Sequence, residues 1–397
     1  MTLSAAEEGG AEAHGPELSK AAYWVIFVLN LLVMMHLGKA AGRALEELVP
    51  KFGMRVVSVF DALTSSTVEL AVASFALRKG LVVVVQAAML GAILNNLLLM
   101  MGIAIFVGGI YNHQQKLKKE TTQTSVNILM ITCIAYVVPI GLESTLLQVY
   151  KNISPAGADQ TAIRLIVEAD ILKLSKIMSV ILLIVYLSCL FFQFHHETFM
   201  ITPEAKHEGS HTLERRYAHF WFAGLAYVAS MAAQIYSANL LVHAVEGLGR
   251  LHHLNDSFVG FVLLPIVLIA DLQEEVIAIR ESKANRLDRS VALMVGSCMQ
   301  IALLVTPILV ILGWVMDVPM TFKFTILEVV ILATSVLLIN YLIQDHETNW
   351  LEGVMLLAVF IMCAIAFFYD DSHVELISGE GTTISGDGVG GAPAALH

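Results

Sequence analysis

Val68-Glu69-Leu70 and, further on, Gly91-Ala92-Ile93-Leu94-Asn95 have a second copy later in the chain, Gln273-Glu274-Glu275 and Gly296-Ser297-Cys298-Met299-Gln300. In each copy the glycine follows the glutamate by 22 residues, with a short basic loop between them. Both glutamates stand in apolar runs long enough to cross a bilayer, whose core of about 30 Å needs about 20 residues of helix. A charged side chain at that depth is costly unless it faces a cavity and has a partner. A carboxylate, a basic turn and a Gly-small-x-x-amide helix, found twice, predict an internally repeated membrane protein with its polar groups gathered in the middle.

The whole chain reads the same way. Of its 397 residues 57% are hydrophobic and 14% charged, with a mean hydropathy of +0.74. Soluble domains carry about 25% charged residues, so a cytosolic enzyme, a nucleic-acid binder, a collagen-like rod and a disordered protein are all excluded. The net charge of -11 suits no polyanion partner. Cys133, Cys189, Cys298 and Cys363 all lie in apolar runs, without the spacing of a disulfide framework or a zinc site.

Ten runs qualify as spans, near residues 22–38, 54–77, 80–108, 124–142, 174–194, 218–247, 256–280, 290–313, 323–344 and 350–369. Backbone groups in lipid must bond internally, so each is expected to be helical. Residues 1–21 form an acidic tail whose one basic residue is Lys20, so the first run is expected to be a retained helix and not a signal peptide. Loops after the odd-numbered spans hold fourteen Lys and Arg against nine on the other side. That places the odd loops in the cytosol and both termini on the far side. The sequons Asn152-Ile153-Ser154 and Asn255-Asp256-Ser257 then fall in far-side loops. The expected organisation is a first five-helix repeat over 22–194, a cytosolic loop rich in His and Glu over 195–217, a second repeat over 218–370, and a disordered tail over 371–397. Five spans per half turn the halves upside down relative to each other. Such inverted repeats mark many secondary transporters, whose site lies at the midplane where the repeats meet.

The chemistry follows from the residue types. Two carboxylates around a divalent cation offset each other's burial, and oxygen donors suit a hard ion such as Ca²⁺. Without the ion, desolvation and like charge favour protons in its place. One pair of acids thus exchanges a cation for protons, as a transporter and not an enzyme, and needs no cofactor beyond the transported ion. Glu69 and Glu274 are the expected metal ligands. Asn95 and Gln300 would supply oxygens or hold the glutamates, unless they only cross-link helices. Gly91 and Gly296 would let helices approach closely. Asp271 shares a helix face with Glu274. Glu275, about 100° away, would serve a vestibule or the repeat interface. Asp61 would either line an entry path or sit in a water-filled funnel at the helix's N-terminal end, while His243 and Glu246, one turn apart, would be either a proton relay or headgroup anchors.

Over residues 22–370 the chain resembles the Ca²⁺/H⁺ exchanger (CAX) family of the cation/Ca²⁺ antiporter superfamily. The resemblance is carried by Val84-Val85-Gln86-Ala87, Leu90-Gly91, Asn96-Leu97-Leu98-Leu99, Leu263-Leu264-Pro265, Val295-Gly296-Ser297, Met299-Gln300-Ile301-Ala302-Leu303 and Asn340-Tyr341-Leu342-Ile343-Gln344-Asp345. It implies the cation/Ca²⁺ exchanger fold. It also implies Ca²⁺/H⁺ exchange at Glu69 and Glu274, with Gly91, Ala92, Gly296, Ser297 and Gln300 in the companion positions. The family's extra first helix has no counterpart among the ten runs. Its Gly-Asn signatures are replaced by Ser65-Ser66 and Ala270-Asp271, and its second-signature His by Glu275. The resulting expectation is a Ca²⁺ or Mn²⁺/H⁺ antiporter of an acidic organelle, plausibly a vacuole, with Ser66 and Asp271 in place of the usual amides. Its partners would be inorganic cations, protons and the lipid bilayer, with no nucleic acid. A monovalent Na⁺ or K⁺/H⁺ exchanger and a non-transporting regulator that retains the fold are the alternatives.

Overall fold

A computed structural model of the chain describes residues 20–112, 115–117, 119–153, 160–195, 220–252, 259–265, 272–344 and 347–368. Residues 1–19 of the expected N-terminal tail, the expected C-terminal tail, residues 196–217 of the cytosolic loop, Ser154 and the sequon at 255–257 lie outside them. The chain is almost wholly helical. The first half holds α1 (Lys20–Phe52), α2 (Met54–Arg78), α3 (Val82–Leu94), a π-helical turn π1 (Asn95–Met100), α4 (Met101–Asn112), α5 (Lys119–Ile153) and α6 (Gln160–His195). The second holds α7 (Phe220–His252), π2 (Val259–Leu263), α8 (Leu272–Lys283), α9 (Leu287–Gln300), π3 (Ile301–Val305), α10 (Thr306–Val315), α11 (Ile326–Gln344) and α12 (Trp350–Phe368).

Among the described residues eight helices are long and apolar enough to cross a membrane. The two expected spans missing from that set are α2 and the run around α8, the two that carry Glu69 and Glu274. Only 12 residues of the run around α8 are described as a helix, Leu272–Lys283. Four helices outrun their apolar cores. Runs expected over 22–38, 124–142, 174–194 and 218–247 belong to helices of 33, 35, 36 and 33 residues. Hydropathy marks only the part in lipid, whereas helical bonding continues into water.

The continuous segments α3–π1–α4 and α9–π3–α10 form the centre, with 72% and 61% of their spanning windows buried. The other six spans bury 22–44% and present residues such as Ile181, Phe191 and Ile326 outward, where lipid covers them. Inverted symmetry is visible at the corners. The α2–α3 turn passes through Gly80 at φ 77°, and the α8–α9 turn through Asn285 at φ 59°. Glycine and asparagine are the residues that enter this left-handed region most readily.

Contacts between loops agree with the span count, since loops can meet only on one face of the membrane. A two-stranded antiparallel pair, β1 (Gln115–Lys116) with β2 (Glu347–Thr348), joins the loops after the third and ninth spans. Gln115 Nε2 donates to Ser282 O at 2.5 Å, bringing the seventh span's loop to the same face. On the opposite face Lys323 pairs with Glu143 at 2.6 Å.

Candidate functional site

Ser66 and Glu69 stand one turn apart on α2, so both face the same neighbours. Gly296, Ser297 and Gln300 occupy one flank of α9, and Gly91, Ala92 and Asn95 the mirrored flank of α3. Ser66 Oγ donates to Gln300 Oε1 at 3.1 Å, a bond from the first repeat to the second. Ser297 Oγ donates to Glu274 Oε2 at 2.5 Å, fixing the carboxylate in the first turn of α8 against α9.

The pseudo-two-fold axis can be located from one contact. Cys298 Sγ lies 3.5 Å from the Ile93 carbonyl, and these residues are 205 apart in sequence. The same interval separates Glu69 from Glu274 and Gly91 from Gly296. Mirror-related positions can touch only where the axis passes between them. Glu274 is bonded to Ser297, and Glu69 stands one turn from Ser66, which is bonded to Gln300, so the two acids, one from each repeat, flank a single helix near the axis.

The expected residues do not all share this site. Ser66 and Asn95 are buried there, and Glu69, Glu274 and Gln300 are partly buried. Ala92, the mirror of Ser297, carries no hydroxyl to offer Glu69. Glu275 turns away and is 7% exposed. It lies on the buried stripe of Ala278 and Ser282, whose hydroxyl donates to Ala104 O of α4 at 2.6 Å. That stripe meets the first repeat at α4. Glu246 and His243 meet Lys79 near the end of α7, at 2.6 and 2.8 Å, as an interfacial cluster away from the paired acids. Asp271 and the Asp61 side chain lie outside the described residues.

The expectation of close helix approach holds for only one of the glycines. A Cβ on Gly91 would lie 2.6 Å from Phe261 O and 2.9 Å from Pro265 Cγ, so α3 and π2 touch backbone to backbone. Among the described residues nothing comes within 4 Å of a Cβ on Gly296. Among the described residues, then, the two mirrored glycines differ in packing.

Two features were not legible in the sequence. π1 and π3 begin at or beside Asn95 and Gln300, in mirrored positions. Such turns leave backbone groups out of the regular ladder and are frequent at functional sites, but nothing in NNLLLM or IALLV signals one. Tyr136 on α5, wholly buried, donates to Ala302 O in π3 at 3.3 Å and stacks on Phe322 at 5.4 Å. A tyrosine in an otherwise apolar run was the available hint.

Among the described residues no three His, Cys, Asp or Glu side chains group as a metal site. The donors that do converge are carboxylate, hydroxyl and amide oxygens, a set for a hard cation. The sodium/calcium exchanger protein family matches residues 22–195 and 222–369. The chain belongs to this family. It is 32% identical over 355 residues to a Ca²⁺/H⁺ antiporter of Aphanothece halophytica, covering 87% of this chain and 90% of that protein. It is 33% identical over 347 residues to a vacuolar calcium ion transporter of Schizosaccharomyces pombe, covering 87% and 79%. Among solved structures it resembles native YfkE, with a TM-score of 0.65 and 26% identity over 88% of this chain and 94% of that one. The H⁺/Ca²⁺ exchanger CAX shares the fold, with a TM-score of 0.62 at 12% identity over 90% and 88%. This member of the exchanger family is thus a multi-pass membrane protein with the cation/Ca²⁺ exchanger fold.

Proposed function

We propose that the protein is a Ca²⁺/H⁺ antiporter of an acidic, vacuole-like compartment, exchanging lumenal protons for a cytosolic divalent cation at Glu69 and Glu274. The observation that carries this reading is that both acids flank α9 beside the pseudo-axis: Glu274 accepts from Ser297, and Glu69 stands one turn from Ser66, which donates to Gln300. The names of the relatives support Ca²⁺ as the ion and the vacuole as the membrane.

In this mechanism the cation is cargo, and no resident cofactor is required. The paired carboxylates, with Ser66, Gln300 and Asp271 nearby in fold or sequence, take either the cation or protons, so the site stays neutralised in both loaded states. The Ser297 hydroxyl orients Glu274, and the Ser66–Gln300 bond ties the repeats together beside the site. Alternating exposure follows from exchanging the packing of the mirrored junctions. In this structure α3 is packed on π2 at Gly91.

The test is uptake of Ca²⁺, Mn²⁺, Na⁺ and K⁺ into vesicles with an imposed pH gradient. Wild type is expected to take up Ca²⁺, and Glu69→Gln and Glu274→Gln each to abolish uptake. Flux that persists in both variants rejects the site. Flux confined to Na⁺ or K⁺ rejects the ion, and no cation flux in the wild type rejects transport.

A further inference from the structure

We propose that Lys79, His243 and Glu246 form a lumenal latch, a positioning device that holds the α2–α3 turn against α7 and lets go when the lumen is acidic. Lys79 is the C-cap of α2, one residue before the left-handed Gly80. Its Nζ donates to Glu246 Oε2 at 2.6 Å and to His243 Nδ1 at 2.8 Å. An ammonium group has only donors, so the second bond requires Nδ1 to be unprotonated. Histidine is the side chain that ordinarily changes charge between pH 5 and 8. Protonation of His243 would replace an acceptor with a second cation facing Lys79, leaving Glu246 as the partner of both.

The surroundings favour release once that occurs. The exposed Arg78 precedes Lys79 on α2, so the charge beside the latch on its own element is positive. Tyr23 of α1 packs against Gly247 and brings no opposing charge. The latch exists on one face only. The mirror position of Lys79, next to left-handed Asn285, is Ala284. The loop-charge count assigns the latched face to the lumen, the compartment whose acidity drives the proposed exchange. Lys79 also sits in the turn joining the helix of Glu69 to the helix of Gly91, whose contact with Phe261 and Pro265 seals that face. A neutral lumen therefore keeps the seal pinned, and an acidic lumen frees the turn to move when protons are available for exchange.

The consequence for transport rests on the antiport reading, but the latch itself can be tested without flux. Amide hydrogen exchange over residues 79–84 is measured in the full-length protein in detergent at pH 7.5 and pH 5.5, corrected for the intrinsic pH dependence of exchange. Wild type is expected to exchange about threefold faster at pH 5.5, the scale of a partly exposed ion pair. His243→Gln should abolish that pH response, Lys79→Arg should retain it, and Lys79→Ala should exchange fast at both pH values. An unchanged rate in wild type overturns the latch, as does a pH response that survives His243→Gln. In vesicles with cytosolic pH held fixed, His243→Gln should also flatten the lumenal pH profile of Ca²⁺ uptake. Failure of the antiport reading would instead appear as absent flux with the exchange pattern intact.

Discussion

The two mirrored junctions have nearly the same sequence logic and opposite packing. At one, Gly91 of α3 lies against Phe261 and Pro265, and Phe261, 1% exposed, stacks on Phe367 at 4.0 Å. At the other, Gly296 of α9 meets nothing within 4 Å among the described residues, and Phe60, the mirror of Pro265, is 51% exposed. Equal motifs held in unequal environments are what an inverted-repeat exchanger needs, because one state of the first junction is the mirror image of the other state of the second. Packed interfaces are bistable and do not deform continuously, so the difference reads as a state and not as a defect of the second copy.

The sharpest way to break the comparison is to put the same methyl on both glycines. Gly91→Ala must displace backbone atoms of π2 as well as the proline ring, and overpacking of that kind costs about 1–3 kcal/mol. The thermal midpoint in detergent should fall, and ΔpH-driven Ca²⁺ uptake should drop by about tenfold or more, the factor that such a cost implies. Gly296→Ala should leave the midpoint unchanged while slowing transport, if the methyl meets its neighbours only in the other transport state. Equal midpoints for the two variants would show that the asymmetry is not a property of the protein.

A second contrast is chemical. Ser297 donates to Glu274, and the mirror residue is Ala92. Hydrogen bonds to charged groups contribute about 1.5–3 kcal/mol, so Ser297→Ala should weaken apparent Ca²⁺ affinity in the vesicle assay by about tenfold. The exchanged pair, Ala92→Ser with Ser297→Ala, moves the hydroxyl to the other repeat and should recover part of that loss. No recovery would show that Glu69 and Glu274 are not equivalent partners of the ion.

The repeat and the exchanger fold were legible because they rest on strong local signals: charge in lipid, glycine spacing, and basic loops. The helix ends were not, because hydropathy reports lipid and not hydrogen bonding; α5 runs to Ile153, although its apolar run stops near 142. The state of the junctions was also hidden. Gly91 and Gly296 look alike on paper, and only the packing of the other repeat separates them. His243 and Glu246 carried an open choice between proton relay and headgroup anchor, since the deciding partner, Lys79, lies more than 160 residues away.

The smallest expected effect concerns the axis itself. Cys298 Sγ is the group that reaches across to the opposite repeat at Ile93, at 3.5 Å, and a thiol is a weak donor. Removing it with Cys298→Ala deletes that bond and leaves a small apolar void, with the cavity confined to one sulfur atom. The expected destabilisation is about 1 kcal/mol, read as a small drop in the thermal midpoint. Ca²⁺ affinity should stay within about twofold of wild type, because the thiol faces a carbonyl and not the ion. Cys298→Ser restores a donor of shorter reach and should fall between the two in stability. If Cys298→Ala instead abolished uptake while the midpoint held, the sulfur would be a ligand, the ion would be softer than Ca²⁺, and the axis would run through the site rather than beside it.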